Sequence, residues 1–352
     1  MFFDLVAAIF AGIMIMGFIV YPLLTLLLSK KYNLPTKKDI PKISILIPAH
    51  NEEKVIEGKI KNTLNIDYPR DRLEIIVIDS NSTDKTYELA SKFPVKLLRA
   101  PLGKVNAINQ GLNYSKSEII VITDADITLS KNSLKSMVSH LNGDIGAVGG
   151  YVIPEPSFIK GKQEYRIADW KLRYAEGKID SACNLDGKLV MFKKNLLMQY
   201  PQNALTDDYI MTFIIRQKGF RLVVDRDAEV YETMPKKISD EIIQFRRYAK
   251  DIMYTNFKNL NFLFNPKYKY YGLMTFPFRR FFPVFYPIFL AYLLIYSYNF
   301  FSYLPLILLL AGLSALLIFK KIMLIQMYSI ILAYFDLFKR DMQGGKWEKV
   351  QR

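Results

Sequence analysis

The chain is poor in the residues that build covalent and soft-metal frameworks. A single cysteine, Cys183, stands among 352 residues and excludes an internal disulfide. Two histidines, His50 and His140, leave a Cys/His zinc site without ligands. Charge is missing from two long stretches, Leu5 to Leu28 and Phe281 to Phe319. A bilayer core of about 30 Å takes about 20 helical residues, so the first stretch suits one span and the second suits two. Hydrophobic residues make up 51% of the chain. A soluble cytoplasmic enzyme is excluded. The first stretch is too long for the apolar part of a signal peptide and lacks a positive leader and a small-residue cleavage site. It reads as a retained anchor.

What is abundant is positive charge: 48 Lys and Arg against 33 Asp and Glu, a net +15. Nucleic acid is the usual partner of such a balance, yet no nucleic-acid motif is present. Much of the charge lies beside the apolar runs, at Lys30, Lys31, Lys37, Lys38, Arg279, Arg280, Lys320, Lys321, Lys339 and Arg340. The positive-inside bias and attraction to anionic lipid heads account for it. This gives a multi-pass protein of the cell membrane with three spans, its N-terminus outside, and its polar domain and tail in the cytosol.

The organisation follows. Residues 1–30 hold the N-terminal transmembrane helix and residues 31–251 the cytosolic polar domain. Residues 252–280 mix Tyr and Phe with Lys, as in Tyr254, Phe257, Lys258 and Tyr271, and suit a helix in the headgroup layer. An amphipathic surface helix is the alternative. Residues 281–319 form a transmembrane hairpin turning near Ser297 to Pro305, and residues 320–352 an interfacial helix with a basic cytosolic tail. Inside the polar domain, apolar runs at Ile43–Pro48, Glu74–Asp79, Val95–Arg99 and Glu118–Asp124 read as strands. Helical patterns near Glu53–Asn65, Asp84–Lys92 and Lys104–Asn113 alternate with them. That alternation predicts an α/β fold with a mostly parallel sheet covered on both faces.

The strands end in polar residues. The first runs into Pro48-Ala49-His50-Asn51-Glu52, the second ends at Asp79, and the fourth ends at Asp124-Ala125-Asp126. Carboxyl ends of parallel strands share one edge, where ligands bind. Glu52, Asp79, Asp124 and Asp126 are therefore expected to converge, and carboxylates in one crevice call for a cation, Mg²⁺ or Mn²⁺ by their hard oxygen donors. Taken singly, each has a plainer reading: an Asp-x-Asp opens loops, His50 can be a satisfied loop residue, and Asp79 can cap a helix. Thr206-Asp207-Asp208 opens a helical pattern, where acidic residues also serve as caps. Gln244, Arg247 and Tyr248 fall at i, i+3 and i+4 on one helix face. Their amide, guanidinium and ring suit a phosphate and a sugar, though a basic face on lipid heads would look alike.

Together these residues resemble the family-2 inverting glycosyltransferases of the GT-A, Rossmann-like fold, and most of all the membrane-embedded cellulose-synthase-like branch. The resemblance covers Ile43 to Tyr248 and extends to the layout of the spans. It implies that Pro48, Ala49, His50 and Glu52 line a nucleotide pocket and that Asp79 contacts the base. Lys104, in the Gly103-Lys104 segment with Asn106 and Asn109, sits beside the nucleotide. Asp124, Ala125 and Asp126 hold the metal and donor, with Asp124 and Asp126 as metal ligands. Asp208 is implied as the catalytic base, with Asp207 at the acceptor. Gln244, Arg247 and Tyr248 close over the diphosphate and acceptor. Trp347 and Arg352 resemble the branch's basic, Trp-containing ending. Three residues depart from the pattern: Ser80 stands for a second aspartate after Asp79, Asp207 for Glu, and Tyr248 for Trp. The last weakens a polymer-stacking platform.

The expected function is a membrane-bound, metal-dependent inverting glycosyltransferase. It would move a hexose, mannose or glucose, from a GDP- or UDP-sugar to a lipid-linked polyprenyl acceptor. A processive polysaccharide synthase of the cellulose or hyaluronan type is the rival, but three spans do not easily surround a glycan. A non-catalytic membrane sensor of nucleotide sugars would have no need of Asp208 or Arg247. Few Cys and His beside abundant Lys and Ile hint at a thermophile, where such transfer would serve N-glycan assembly.

Overall fold

The computed structural model describes residues 2–154, 161–201, 204, 206–232, 237–300 and 325–336. Its strands join in one sheet: β1 (Ile43–Ala49), β2 (Leu73–Asp79), β3 (Lys96–Arg99), β4 (Ile119–Thr123), β5 (Thr128–Leu129), β6 (Ile145–Pro154), β7 (Leu189–Lys193) and β8 (Arg221–Glu232). The spatial order is β3-β2-β1-β4-β7-β6-β8-β5. The first four positions are all parallel. Then β7 runs antiparallel to both β4 and β6, β8 returns parallel to β6, and β5 closes the far edge antiparallel to β8. Every residue of β1 and β4 is buried, as a parallel strand covered by helices on both faces requires. The four predicted strands are all present, with ends shifted by one residue at most.

The helices are α1 (Phe2–Ile15), α2 (Tyr21–Ser29), α3 (Ile56–Leu64), α4 (Thr86–Ser91), α5 (Lys104–Tyr114), α6 (Ser133–His140), α7 (Lys162–Ile179), α8 (Asp207–Gln217), α9 (Ile238–Lys258) and α10 (Tyr286–Phe300). A π-turn, Met16–Val20, joins α1 to α2 into one rod. Two helical stretches among the described residues are long and apolar enough to cross a bilayer, Phe2–Ser29 and Tyr271–Tyr296. The second begins ten residues before the span expected from sequence at Phe281, and takes in Arg279 and Arg280. The far arm of the expected hairpin, 301–319, lies outside the described residues, as does the tail with Trp347 and Arg352. Residues 325–336 are helical, and Asp336 there accepts from Arg246 Nε on α9 at 2.7 Å.

The segment between the polar domain and the second span differs from the headgroup helix expected for 252–280. Helix α9 runs unbroken through Asp251, so the chain leaves the domain only after Lys258. Two short 3₁₀ turns and a π-helix, Tyr271–Phe281, follow. Phe262, Tyr268, Tyr271 and Phe276 are buried, and pack against Tyr209 and Phe213 of α8. Their aromatic surface stabilises protein packing instead of facing lipid. Phe257 and Phe264 do remain exposed. Pro277 lies inside the π-helix, where its missing N–H suits a wide turn better than a regular α-helix.

The first span is tied to the polar domain by polar bonds as well as packing. Tyr21 Oη donates to Glu176 Oε1 at 2.7 Å, and the Cys183 backbone N–H donates to Glu176 Oε2 at 2.7 Å. Arg279 Nε lies 3.5 Å from the same carboxylate, so α2, α7 and the second span meet at one fully buried side chain. Removing one member of a buried ion pair strands the others and typically costs about 3–5 kcal/mol. Glu176→Ala is expected to lower the melting temperature of the detergent-solubilised protein clearly, as read by intrinsic fluorescence. Glu176→Gln, which retains an acceptor oxygen, should lose less.

Candidate active site

The parallel half of the sheet brings three loops to one edge. In register, Ala49 pairs with Asp79 and Asp79 with Arg99, so the chain emerges from β1, β2 and β3 at one level. Ser80 ties these loops together. Its backbone N–H donates to the Ala49 carbonyl at 2.8 Å, and its hydroxyl donates to the Pro101 carbonyl at 3.0 Å. That hydroxyl also accepts from the Gly103 N–H at 2.9 Å. Serine in place of a second aspartate thus has a structural use: a neutral hydroxyl both donates and accepts, which a carboxylate does not. Gly103, at φ +125°, then turns the chain into α5, whose first residue is Lys104.

Around this edge the sequence-predicted residues take different parts. Pro48 and Ala49 are buried strand residues that fix the backbone. His50 Nδ1 lies 2.8 Å from the Ser80 carbonyl, and the Glu52 N–H donates to Thr86 Oγ1 at 2.7 Å. Asp79 is buried, with Oδ2 accepting from the Ser82 N–H at 3.3 Å and Oδ1 left without a hydrogen-bond partner among the described residues. A buried carboxylate oxygen without a donor is costly, and a ligand N–H placed there would satisfy it. Asn109 is structural: it exchanges two hydrogen bonds with the Tyr200 backbone, at 3.0 and 2.7 Å.

Lys104 draws the distant acids together. Its ammonium lies 2.8 Å from Asp124 Oδ1 and 3.1 Å from Asp207 Oδ2. Burial alone would lower its pKa, but these two carboxylates outweigh that and hold it well above the usual lysine range. Gly187 makes room for the pair, since a Cβ there would sit 3.1 Å from Asp207 Oδ2 and 3.3 Å from Lys104 Nζ. Beneath, the buried Lys59 donates to Thr123 Oγ1 and to the Ile127 carbonyl, both at 2.8 Å. It clamps the turn that presents Asp124, the buried Ala125 and Asp126. Sequence reasoning missed Lys59. Its one signal is a lysine at an otherwise buried position of an amphipathic helix.

Asp208 begins α8 beside Asp207. Burial first, then repulsion from Asp207 and Asp186, raise its pKa to about 7, against the pull of Lys104. Part of the capping explanation holds: the Thr206 hydroxyl at the N-cap makes no capping bond, and Asp208 Oδ1 accepts the first-turn N–H of Tyr209 at 2.8 Å. Asp208 faces a cavity of about 580 Å³, shared with Gln244 and Tyr248 on α9. Gln244 Nε2 donates to Tyr248 Oη at 3.1 Å. Arg247 is not brought to this cavity; its guanidinium stands 5.5 Å from the Tyr248 ring centre. Besides Lys162 and Lys188, four arginines line the cavity without having been anticipated there: Arg166, Arg173, Arg279 and Arg280. Helix α7 and the second span bring them there, and neither carries a motif.

The donor set fits a divalent cation in part. Asp124 and Asp126 offer hard oxygens on one turn, and the Lys104 ammonium on Asp124 shows that the place attracts a cation. No group of three or more Asp, Glu, His or Cys forms a cage among the described residues. Two carboxylates with phosphates completing the sphere is the usual Mg²⁺ arrangement.

A profile of glycosyl transferase family 2 matches residues 44–211. The match runs from β1 into the first turns of α8. The whole chain is similar to the mannosyltransferase PcManGT from Pyrobaculum calidifontis, solved with GDP-Man and Mn²⁺. The TM-score is 0.71 at 26% identity, over 95% of this chain and 99% of that one. This confirms the GT-A fold. Among curated proteins, the chain is 28% identical to the probable glycosyltransferase YdaM of Bacillus subtilis over 254 residues, 66% of this chain and 60% of that protein. It is 38% identical to a β-monoglucosyldiacylglycerol synthase of Nostoc over 129 residues, 34% of this chain and 28% of that protein. The chain therefore spans less than two thirds of either curated relative. The family match ends at residue 211, so α8 begins inside it while α9 and the candidate spans that line the cavity lie beyond.

The raised pKa of Asp208 has a stability signature. Its unfolded value is about 4, so the fold binds the proton more tightly than the unfolded chain does. The stability this gives is complete below about pH 4 and is lost as pH rises through about 7. Asp208→Asn is thus expected to raise the melting temperature at pH 8 and to give no gain at pH 4, as scanned in metal-free buffer.

Proposed function

We propose that this is a membrane-bound inverting glycosyltransferase that uses a nucleoside-diphosphate hexose and a divalent cation, with a lipid-linked acceptor. The observation that carries it is the position of Asp208. On one side its neighbour Asp207 joins the Lys104–Asp124 cluster, and on the other it opens into a cavity bounded by both candidate spans. A base lies between a donor edge and a membrane-facing acceptor chamber. Similarity to a mannosyltransferase solved with GDP-Man and Mn²⁺ supports mannose, GDP and manganese. The name of the Nostoc relative, which makes a glucosyl lipid, supports a lipid acceptor.

In this reading Asp79 takes the base, and Asp124 and Asp126 would hold the cation, which would supply positive charge beside the diphosphate when bound. Asp208 removes the proton from the acceptor hydroxyl. The hydroxyl oxygen attacks the anomeric carbon in line, and the bond to the nucleoside diphosphate breaks on the opposite face. A base with a pKa near 7 is ionised about half the time at neutral pH and still accepts a proton readily. Lys104 positions the donor-side carboxylates, and Gln244 and Tyr248 shape the acceptor side. The catalytic domain faces the cytosol, where sugar nucleotides are made.

Three measurements test this. GDP binding by calorimetry should need Mn²⁺ and collapse in Asp126→Ala; equal affinity with chelator would overturn the metal assignment. Asp208→Asn should cut single-turnover transfer by about 100-fold or more while sparing donor affinity, and Asp207→Asn should cost less. If Asp208 only capped its helix, Asn would replace it at little cost. Transfer by the unaltered protein should rise with pH up to about 7 and fall about tenfold per unit below it.

A further inference from the structure

Most carboxyl groups that line the cavity next to Asp208 are covered by cations. Asp169 takes Arg173 Nε at 2.7 Å and also Arg279. Glu232 takes Arg166 at 2.8 Å and Lys188 at 3.3 Å, Asp186 takes Lys188 at 2.9 Å, and Glu241 takes Lys162. Two lining acids differ. Asp208 has no cation within ion-pair distance among the described residues, and its Oδ1 accepts the Tyr209 N–H at 2.8 Å. Asp251 is 2% exposed, and no donor or cation among the described residues holds its carboxyl. Its oxygens are not sealed: they open on the cavity that Asp251 lines.

The fold holds these two acids in one unit. On α9, Gln244, Tyr248 and Asp251 fall at i, i+4 and i+7, so one helix face presents all three to the cavity. Farther along α9, Asn256 accepts from the hydroxyl of Tyr209, the residue after Asp208, and donates to the Arg280 carbonyl at 2.8 Å. Helices α8 and α9 are thereby bonded beside both acids. Other charges nearby are engaged: Arg279 with Asp169, Arg246 with Asp336, and Arg280 with the Cys183 sulfur at 3.0 Å. Arg247 and Lys250, on the same helix as Asp251, stay beyond ion-pair distance of it. Burial raises the pKa of Asp251 to about 7; Arg247 and Lys250 oppose this, and the charge of Asp208 adds to it. Asp208 answers in turn to Asp207, Asp186 and Lys104. Two such carboxyls in one buried space do not ionise independently, because the first charge makes the second harder to form.

We propose that Asp251 is a positioning residue that acts through Asp208: the two carboxyls titrate as a pair, and Asp251 keeps a proton in the chamber while Asp208 is ionised. The chamber then carries one unpaired negative charge when the base is ready, and not two. As Asp251 ionises in turn, its charge raises the proton affinity of Asp208, since the coupling is reciprocal. A base that strengthens as pH climbs keeps its pull on the acceptor proton over a wider range. Asp251 lies beyond the family match, which ends at residue 211, and past the segment from Gln244 to Tyr248. The proposal rests on the transfer reading for what the pair does, while the pairing itself is measured without turnover.

The test is infrared difference spectroscopy of the full chain in detergent and metal-free buffer, following the carbonyl stretch of protonated carboxyl groups as pH is raised. Ordinary carboxyls ionise at about pH 4 and are silent in the window from about pH 5 to about pH 9. The unaltered protein is expected to lose this signal in two steps, about one pH unit or more apart. Asp251→Asn and Asp208→Asn should each leave a single step. In Asp208→Asn that step should lie about one unit below the upper step of the unaltered protein. Single-variant curves that simply add up to the curve of the unaltered protein show independent acids and overturn the proposal. Should Asp251→Asn fail to melt cooperatively, Asp208→Asn decides alone, because either variant reports a reciprocal coupling. A remaining midpoint that has not moved then overturns it. A second arm follows release of GDP from GDP-mannose with water as acceptor. Asp251→Asn should sharpen the pH profile to that of one proton and lower its half-maximal point by about half a unit, and Asp251→Glu should restore the broad profile. An equal fall in rate at every pH, with the profile's shape kept, would mean a structural role and overturn the proposal. Absence of GDP release by the unaltered protein sinks the transferase reading alone, since the infrared titration needs no substrate.

Discussion

Two carboxylates from opposite ends of the domain, Asp124 after β4 and Asp207 at the start of α8, share the ammonium of Lys104. Held in one partly dry crevice without a cation, they would repel each other and turn α8 away. With it, the start of α8 is pinned to the nucleotide edge of the sheet. Everything on the acceptor side follows from that, because Asp208 is the next residue and its direction is set by the first turn of the same helix. Gly187 is small because this pairing needs the space. A bound cation would add positive charge to Asp124, so Lys104 and the metal compete for one carboxylate and can trade places on it.

The other end of α8 is fixed by apolar packing. Phe213 meets the rings of Phe262 and Phe276 edge to face, with centroids 5.2 and 5.7 Å apart. Arg216, near the helix end, reaches the Tyr268 carbonyl at 3.0 Å and Asp180 at 3.2 Å. The helix carrying Asp208 is therefore clamped between the sheet and the segment that leads into the second candidate span. A rigid mount of this kind holds the first turn of α8 in a fixed direction relative to the sheet.

The strands and their polar ends were legible because β1, β2 and β4 are short, apolar and bounded, and because parallel order sends their carboxyl ends to one edge. Asp79 and Asp124 could be named for that reason, whereas Lys104 and Asp207 were named from the family resemblance. The cations of the cavity could not. Arg166 and Arg173 lie on a helix whose sequence shows only an amphipathic surface, and Arg280 looked like an ordinary flanking charge of a span. Their meeting depends on β7 reversing direction beside β4 and on the first span folding back against α7, which no local pattern encodes. The aromatic stretch from Tyr254 to Phe281 misled for a related reason. Lipid and a protein core attract the same residues, so composition alone does not say which of them Phe262 or Tyr271 faces.

The acids of the cavity are sorted by their partners, and that sorting favours one of them as the proposed base. Asp169 sits against Arg173 and Arg279, and Asp186 against Lys188 and Arg166; in each case burial would raise the pKa, yet these cations hold it well below the usual carboxylate range. Such groups stay ionised and serve structure. Asp208 and Asp251 lack that cover, and burial brings both to about 7. Two candidates remain, and their positions separate them. Asp251 lies within α9, opposed by Arg247 and Lys250 and distant in the chain from the donor edge. Asp208 adjoins the residue that Lys104 joins to Asp124. A general base must reach the hydroxyl that meets the anomeric carbon, so it belongs where the donor edge and the acceptor chamber touch. Of the two uncovered acids, Asp208 alone adjoins the Lys104 cluster, as the proposed base would.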